Sequence, residues 1–396
     1  MHLFKQHAVQ DYDAASAAIP VIDYGPYFAG EPGALAHLAE QIQHACENVG
    51  FLYVLGHGVP QETIDRGFAA SKRFHALPLE EKLKLRLNEN NIGYMPMNAS
   101  VQGASTVHQA TKPNQNESFF VSHDRAADHP DVVAGLPLRG RNQWPDDMPE
   151  LRADMMAYFQ AVRAMCTRML PGFAVALGLE PDHFAPYFAN EEHANLRFLH
   201  YPPQEDTSEN TFGAAPHTDN SFMTALARTD VPGLAVRLQS GEWFQPPVIP
   251  GTFLINLGNI MRRWSNDRFL STPHGVINDS GTDRYSIAYF HSPNPASTIE
   301  CLSTCTSEAD PPRYPPAVYR DLVLEFYRKN YFHQKGHQSE AAKLSPRHPR
   351  ALPEDPKRHG AVGDPRVMPE DDAMGGRASG ILQPDTTNEP KGNEKP

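Results

Sequence analysis

Basic residues are outnumbered in this 396-residue chain: 35 Lys and Arg face 47 Asp and Glu, for a formal charge of -12. An extended nucleic-acid backbone or an anionic membrane is gripped by clustered Lys and Arg, so this balance argues against both partners. Cysteine is sparse too. Cys46, Cys166, Cys301 and Cys305 are too few and too scattered for a disulfide framework, and the opening MHLFKQHAVQDYD has no apolar core of the kind a secretory signal carries. Both features fit a reducing cytoplasm. No apolar run approaches the ~20 residues that span a bilayer, which sets a membrane-embedded role aside. No Phe, Tyr or Trp follows Phe332, and Pro, Gly and charge crowd the stretch from Ser345 onward. Such a segment cannot bury enough apolar area to offset its ordering entropy, so residues 344–396 read as a disordered tail.

What is present suffices for a sizeable core, since 40% of the residues are hydrophobic. After a short arm, residues 1–18, the section from 19 to 190 is mixed and mainly helical. IPVIDYG (19–25) is a short strand ending in a turn. Leu35, Leu38, Ala39, Ile42, Ala45, Cys46 and Val49 fall at helical spacing until Gly50 stops them. FLYVLGHGVP (51–60) reads as a buried strand, with His57 a structural residue of its turn. QETIDRGFAASKRFHALPLEEKLKL is a helix pair broken at Pro78, and a long helix spans about 150–178. From Asn195 the period becomes that of strands: NLRFLHYP, SFMTALAR, LAVRLQ, EWFQPPV, TFLINLG, FLSTPHGVIN and RYSIAYF are short and punctuated by Gly, Pro, Asn and Asp. The expected architecture is mainly β with α, a jelly-roll core over residues 191–343 flanked by N-terminal helices.

Within AAPHTDNSF (214–222), His217 and Asp219 stand two positions apart, a spacing that in a strand directs both side chains to one face. His274, in FLSTPHGVIN, is a candidate third ligand that intervening strands can bring back beside them. Two histidines and one carboxylate on one face of an octahedron describe the triad of non-haem Fe(II) oxygenases, which leaves positions open for O2 and an organic co-substrate. In DRYSIAYF, Arg284 and Ser286 again share a strand face. A guanidinium matches a carboxylate bidentately and a hydroxyl beside it adds a donor, so an acidic ligand is expected there.

The order His-x-Asp, a gap, His, then Arg-x-Ser resembles the 2-oxoglutarate and Fe(II)-dependent dioxygenases, specifically the isopenicillin N synthase-like family. IPVIDYG, ACENVGFLYVLGHGVP, LRFLHYPP, HTDNSFMTAL, PGLAVR, FLINLGNIMRRWSNDRFLSTPHGV and DRYSIAYFHSPN follow that family's elements in order, over roughly Ile19 to His333. The resemblance implies a double-stranded β-helix with His217, Asp219 and His274 as iron ligands. It implies Arg284 and Ser286, joined by Tyr201, as the clamp on 2-oxoglutarate. Leu199 stands where the family often has a donating asparagine, and Asn259 replaces the usual aspartate of a Gly-Asp turn. Met95, Phe119, Phe120 and Phe290 fall where relatives line the substrate pocket, and the resemblance implies that the stretch from about 90 to 125 forms specificity-setting loops. The implied activity is oxidation, with hydroxylation the expected outcome, of a small organic substrate, consuming Fe(II)-bound 2-oxoglutarate and O2 and releasing succinate and CO2. Three alternatives stay open on the sequence: an Fe(II)/O2 oxidase of the same fold without 2-oxoglutarate, a non-catalytic binding protein on this scaffold, and a zinc hydrolase. Neither the substrate nor the oligomeric state is legible.

Overall fold

The computed structural model describes residues 18–331 except 103, 104, 106, 190, 207 and 209. The expected tail and all but the last residue of the N-terminal arm lie outside the described residues. Five helices matter for the site: α1 (Ala34–Asn48), α2 (Gln61–His75), α3 (Pro149–Ala176), α4 (Asn259–Trp264) and α5 (Tyr319–Asn330). The strands of the two larger sheets, in chain order, are β1 (Val21–Asp23), β2 (Phe51–Leu55), β3 (Gly93–Met95), β4 (Glu117–Val121), β5 (His193–Tyr201), β6 (Ala214–His217), β7 (Met223–Arg228), β8 (Leu234–Arg237), β9 (Trp243–Phe244), β10 (Phe253–Leu257), β11 (His274–Val276) and β12 (Arg284–Ser292).

These strands make the jelly roll from two sheets. The larger runs β1-β2-β10-β7-β12-β5-β4-β3, and the smaller β6-β11-β8-β9. Among the described strand pairs of these two sheets only β1–β2 is parallel. The N-terminal strands thus complete both edges of the large sheet and are continuous with the C-terminal core. At its centre β5 and β12 pair over nine residues, Arg284 opposite Tyr201 through Ser292 opposite His193. Alternation sorts their side chains. Leu196, Phe198, Ile287 and Tyr289 point to one face, where α1, α2 and α3 build the main core, while Leu199, Tyr201 and Ala288 point into the space between the sheets.

The helices form where the apolar spacing predicts. In α3 the buried stripe Leu151, Met155, Tyr158, Phe159, Val162, Met165, Cys166 and Met169 follows the helical period, and Pro149 opens the helix where a missing N–H costs nothing. Complete burial of a side chain such as Phe159 stabilises by ~1.5–3 kcal/mol. Gly50 ends α1 at positive φ, against the Leu270 carbonyl, where a Cβ would collide. Two expectations are corrected. The 90–125 stretch contains β3 and β4, and β4 hides the strand period because all five of its residues are buried. Phe119 stacks on Phe74 of α2, ring centroids 4.0 Å apart. EWFQPPV shrinks to Trp243–Phe244, because Pro246 and Pro247 have no N–H to continue a ladder.

Candidate active site

His217 ends β6, and His274, which opens β11, is its direct cross-strand partner. The imidazole centroids are 4.6 Å apart. Asp219 reaches them differently from the strand alternation expected, because β6 stops at His217 and Asp219 lies in the following loop. That loop is pinned by the start of α4: the Asn259 N–H donates to the Asp219 carbonyl at 2.7 Å, and the Gly258 N–H donates to Phe222 at 3.1 Å. A Cβ at Gly258 would fall on the Ser221 backbone, so glycine permits this approach. The Asn259 side chain donates to Thr218 and Asn220, which supports the structural reading of this residue.

Ligand-competent atoms of His217, Asp219 and His274 all lie within 4.8 Å of one another. His217 Nδ1 lies 2.7 Å from the Ala215 carbonyl, and His274 Nδ1 lies 3.1 Å from the Thr272 carbonyl. A carbonyl only accepts, so each Nδ1 carries the proton and each Nε2 lone pair is left to face Asp219. The Nε2 atoms sit 3.7 and 3.8 Å from its carboxylate oxygens. Burial, helped by the neighbouring His274, holds the His217 imidazole well below its usual pKa and therefore neutral. Burial by itself raises Asp219, but the two imidazoles with the Asn256 and Thr224 donors outweigh it and keep the carboxyl below its usual range. Asp219 Oδ2 accepts from Thr224 Oγ1 at 2.6 Å and Asn256 Nδ2 at 2.8 Å. Two imidazoles that each present an Nε2 lone pair, with a carboxylate held in place by two donors, suit a divalent transition metal.

Two cavities meet at this trio. One encloses about 570 Å³ of empty space, solvent-open parts included, between the sheets; Tyr201, Leu199, Arg284 and Ser286 line it beside the three ligand candidates. Arg284 is 1% exposed. Its guanidinium carbon lies 4.9 Å from the Tyr201 ring centroid, and Nε and Nη1 have no hydrogen-bond partner among the described residues. Burial pulls its pKa down to about 10. The second cavity, about 580 Å³ on the same measure, lies under α5. Phe120 and Phe290 line it, with His193, Asn195 and Arg197 of β5. Met95 and Phe119 line neither cavity and sit in the main core. Phe119 faces away because it is one residue out of phase with Phe120 on β4.

Comparison with known proteins agrees with this geometry. Residues 19–147 match the family described as the N-terminal region of a non-haem dioxygenase in morphine synthesis, and residues 191–293 match the 2OG-Fe(II) oxygenase superfamily. A 2-oxoglutarate-Fe(II) type oxidoreductase of Emericella nidulans is 34% identical over 342 residues, covering 84% of this chain and 96% of that protein. The chain belongs to the 2-oxoglutarate and Fe(II)-dependent oxygenases. It is an oxidoreductase that uses Fe(II), 2-oxoglutarate and O2, as the family and the names of its relatives establish. A homoarginine-6-hydroxylase of Glycine max is 31% identical to this oxygenase, covering 74% of it and 91% of the relative. Neurospora crassa T7H, solved in complex with alpha-KG and thymine, superposes with a TM-score of 0.68 at 26% identity, covering 78% of this chain and 97% of that one. The thymine in that neighbour leaves the exclusion of a nucleic-acid partner, expected from the charge balance, without support. No described helix of this oxygenase is long and apolar enough to cross a membrane.

Reading the sequence assigned Thr224 no role in holding Asp219, and it missed Asn256, which shares that role, and the β5 row His193, Asn195, Arg197. The row was discoverable: these residues alternate with Ala194, Leu196 and Phe198 at the strand period in HANLRFLHY.

Proposed function

We propose that His217, Asp219 and His274 hold the iron, and that Arg284, with Ser286 and the Tyr201 ring, receives the distal carboxylate of 2-oxoglutarate. The observation that carries this reading is the buried guanidinium of Arg284, whose Nε and Nη1 have no hydrogen-bond partner among the described residues, in the cavity that ends at the ligand trio. A buried charge without a partner is costly, and a bidentate carboxylate relieves that cost. Bound Fe(II) with 2-oxoglutarate and O2 supplies the oxidising power, the oxo acid leaving as succinate and CO2 while one oxygen atom enters a C–H bond of the substrate.

The remaining work belongs to the protein. Thr224 and Asn256 orient the Asp219 carboxylate, the Ala215 and Thr272 carbonyls fix the imidazole tautomers, and Leu199 keeps water from the clamp. The aromatic cavity under α5 positions the substrate's C–H bond on the far side of the ligand trio. In this proposal the substrate is a free small molecule rather than a nucleic-acid polymer, in keeping with the charge of -12. A cytoplasmic setting belongs to the same proposal, supported by Cys46, Cys166, Cys301 and Cys305 all being unpaired.

Anaerobic titration of the purified chain with Fe(II) and then 2-oxoglutarate tests the assignment. A weak visible metal-to-ligand charge-transfer band is expected, and Arg284→Ala should lose it at the same concentrations. A band of equal strength in Arg284→Ala would sink the clamp; failure of Asp219→Ala to weaken metal binding would sink the trio.

A further inference from the structure

We infer that the cavity under α5 recognises a flat ring through a cyclic-amide edge, one N–H beside one C=O, read by Asn195 and Arg197. The inference deepens the proposed function and rests on that cavity being the substrate side.

Asn195 and Arg197 lie two positions apart on the face of β5 that lines this cavity, about 7 Å along the strand. Asn195 is 4% exposed. Its Nδ2 lies 3.4 Å from the Asn91 carbonyl, which can only accept, so the amide is oriented with nitrogen toward Asn91. Oδ1 is thereby the free atom, and it has no hydrogen-bond partner among the described residues. A buried acceptor left unsatisfied is unfavourable, so the cavity calls for a ligand that donates.

Arg197 makes the opposite demand. Its Nε donates to Ser118 Oγ at 2.9 Å and its Nη2 to Asn116 Oδ1 at 3.0 Å, which fixes the guanidinium while leaving other N–H groups uncommitted. The guanidinium carbon lies 4.9 Å from the Phe120 ring centroid. Among the described residues no carboxylate forms an ion pair with it. It therefore offers donors to a ligand acceptor. A carboxylate ligand would satisfy Arg197 but present only lone pairs to Asn195, whereas a ring amide satisfies both. Phe120, Phe290, Phe326 and Tyr327 among the lining residues supply apolar and aromatic surface for a flat ring.

The test loads the full-length protein anaerobically with Fe(II) and 2-oxoglutarate and measures binding of 2-pyridone and uracil. Their fully N-methylated counterparts and benzoate serve as comparisons, with calorimetry and perturbation of the charge-transfer band as readouts. The ring amides should bind, N-methylation should weaken binding about tenfold, and Asn195→Leu should weaken the parent amides about as much while abolishing the methylation penalty. Arg197→Lys, which keeps the charge but not the fork, should weaken amides and methylated amides alike. The 2-oxoglutarate band in each variant reports an intact site. Tighter binding of benzoate, a methylation penalty unchanged in Asn195→Leu, or an intact band with no amide binding would each overturn the inference and leave the proposed function standing. Absence of the band in the parent protein would remove the proposed function and the inference with it.

Discussion

Replacing Arg284 by methionine should make the ligand-free protein more stable while destroying its response to 2-oxoglutarate. Burial pulls the guanidinium pKa down to about 10, a displacement that corresponds to about 3 kcal/mol of unfavourable burial of the charge. The Tyr201 face, 4.9 Å away, returns part of that through a cation–π contact. Methionine approximates the length of the arginine stem and brings no charge into a cavity walled by Leu199, Leu234, Val276 and Ala288. The net expectation is a gain of about 1–3 kcal/mol without ligand, the range seen when buried ionic groups give way to apolar ones. Urea denaturation of the metal-loaded protein at pH 7 measures it. With 2-oxoglutarate at a hundred times its dissociation constant, the parent should gain about 2.7 kcal/mol, and Arg284→Met nothing at that concentration. A destabilised ligand-free variant would refute the argument that the charge is held at a cost, and a retained stabilisation by 2-oxoglutarate would refute the clamp.

Other expectations follow from neighbouring groups. Thr224→Val removes the 2.6 Å hydrogen bond to Asp219 Oδ2 without changing side-chain shape, so competition with a chromophoric chelator should show divalent-metal affinity lower by about 10–100-fold; unchanged affinity would count against the oriented carboxylate. Glu117→Gln strips the buried Lys82 of the carboxylate 2.8 Å away and should cost about 3–5 kcal/mol by urea denaturation, most of it recovered in the Lys82→Met, Glu117→Gln double variant. Burial holds His75 and His123 at about 4 and His193 and His291 at about 3. The unfolded chain therefore binds protons that the fold refuses, and stability falls as pH drops from ~6.5 toward those values. His291→Leu should flatten this loss in scanning calorimetry. His200 works with the opposite sign: burial lowers its pKa, but hydrogen bonds to Glu117 and Asp283 outweigh that and raise it. Its contribution is present below ~6.5 and is lost as pH rises through the folded value.

The ligand candidates were legible because the chemistry proposed for His217, Asp219, His274 and Arg284 tolerates few substitutes. Their supports were not. Thr224 and Asn256 look like ordinary polar interruptions of apolar strands, and only pairing across β7 and β10 reveals that both aim at one carboxylate oxygen. The long amphipathic helices were legible from their period, whereas β4 was not, since a strand covered on both faces shows no alternation and its Glu117 disguises it as a loop. Phe119 and Phe120 show the same boundary at the scale of one residue: the segment was placed near the pocket, but which ring enters depends on strand phase, and the sequence carries no mark of it.

The β5–β12 pair has one more implication, for how such a protein changes over time. Under the proposed function, co-substrate and substrate are met by the same two strands at opposite ends, Arg284 with Tyr201 at one and Ser292 with His193 at the other, joined by an unbroken ladder. Side chains at the far end can be exchanged without disturbing backbone pairing at the near end, because the ladder's hydrogen bonds do not depend on side-chain identity. An insertion or deletion within either strand is different, because it rotates every subsequent side chain to the opposite face and spoils one of the two ends. Point substitution is therefore the open route to new substrates, and length variation is confined to the turns.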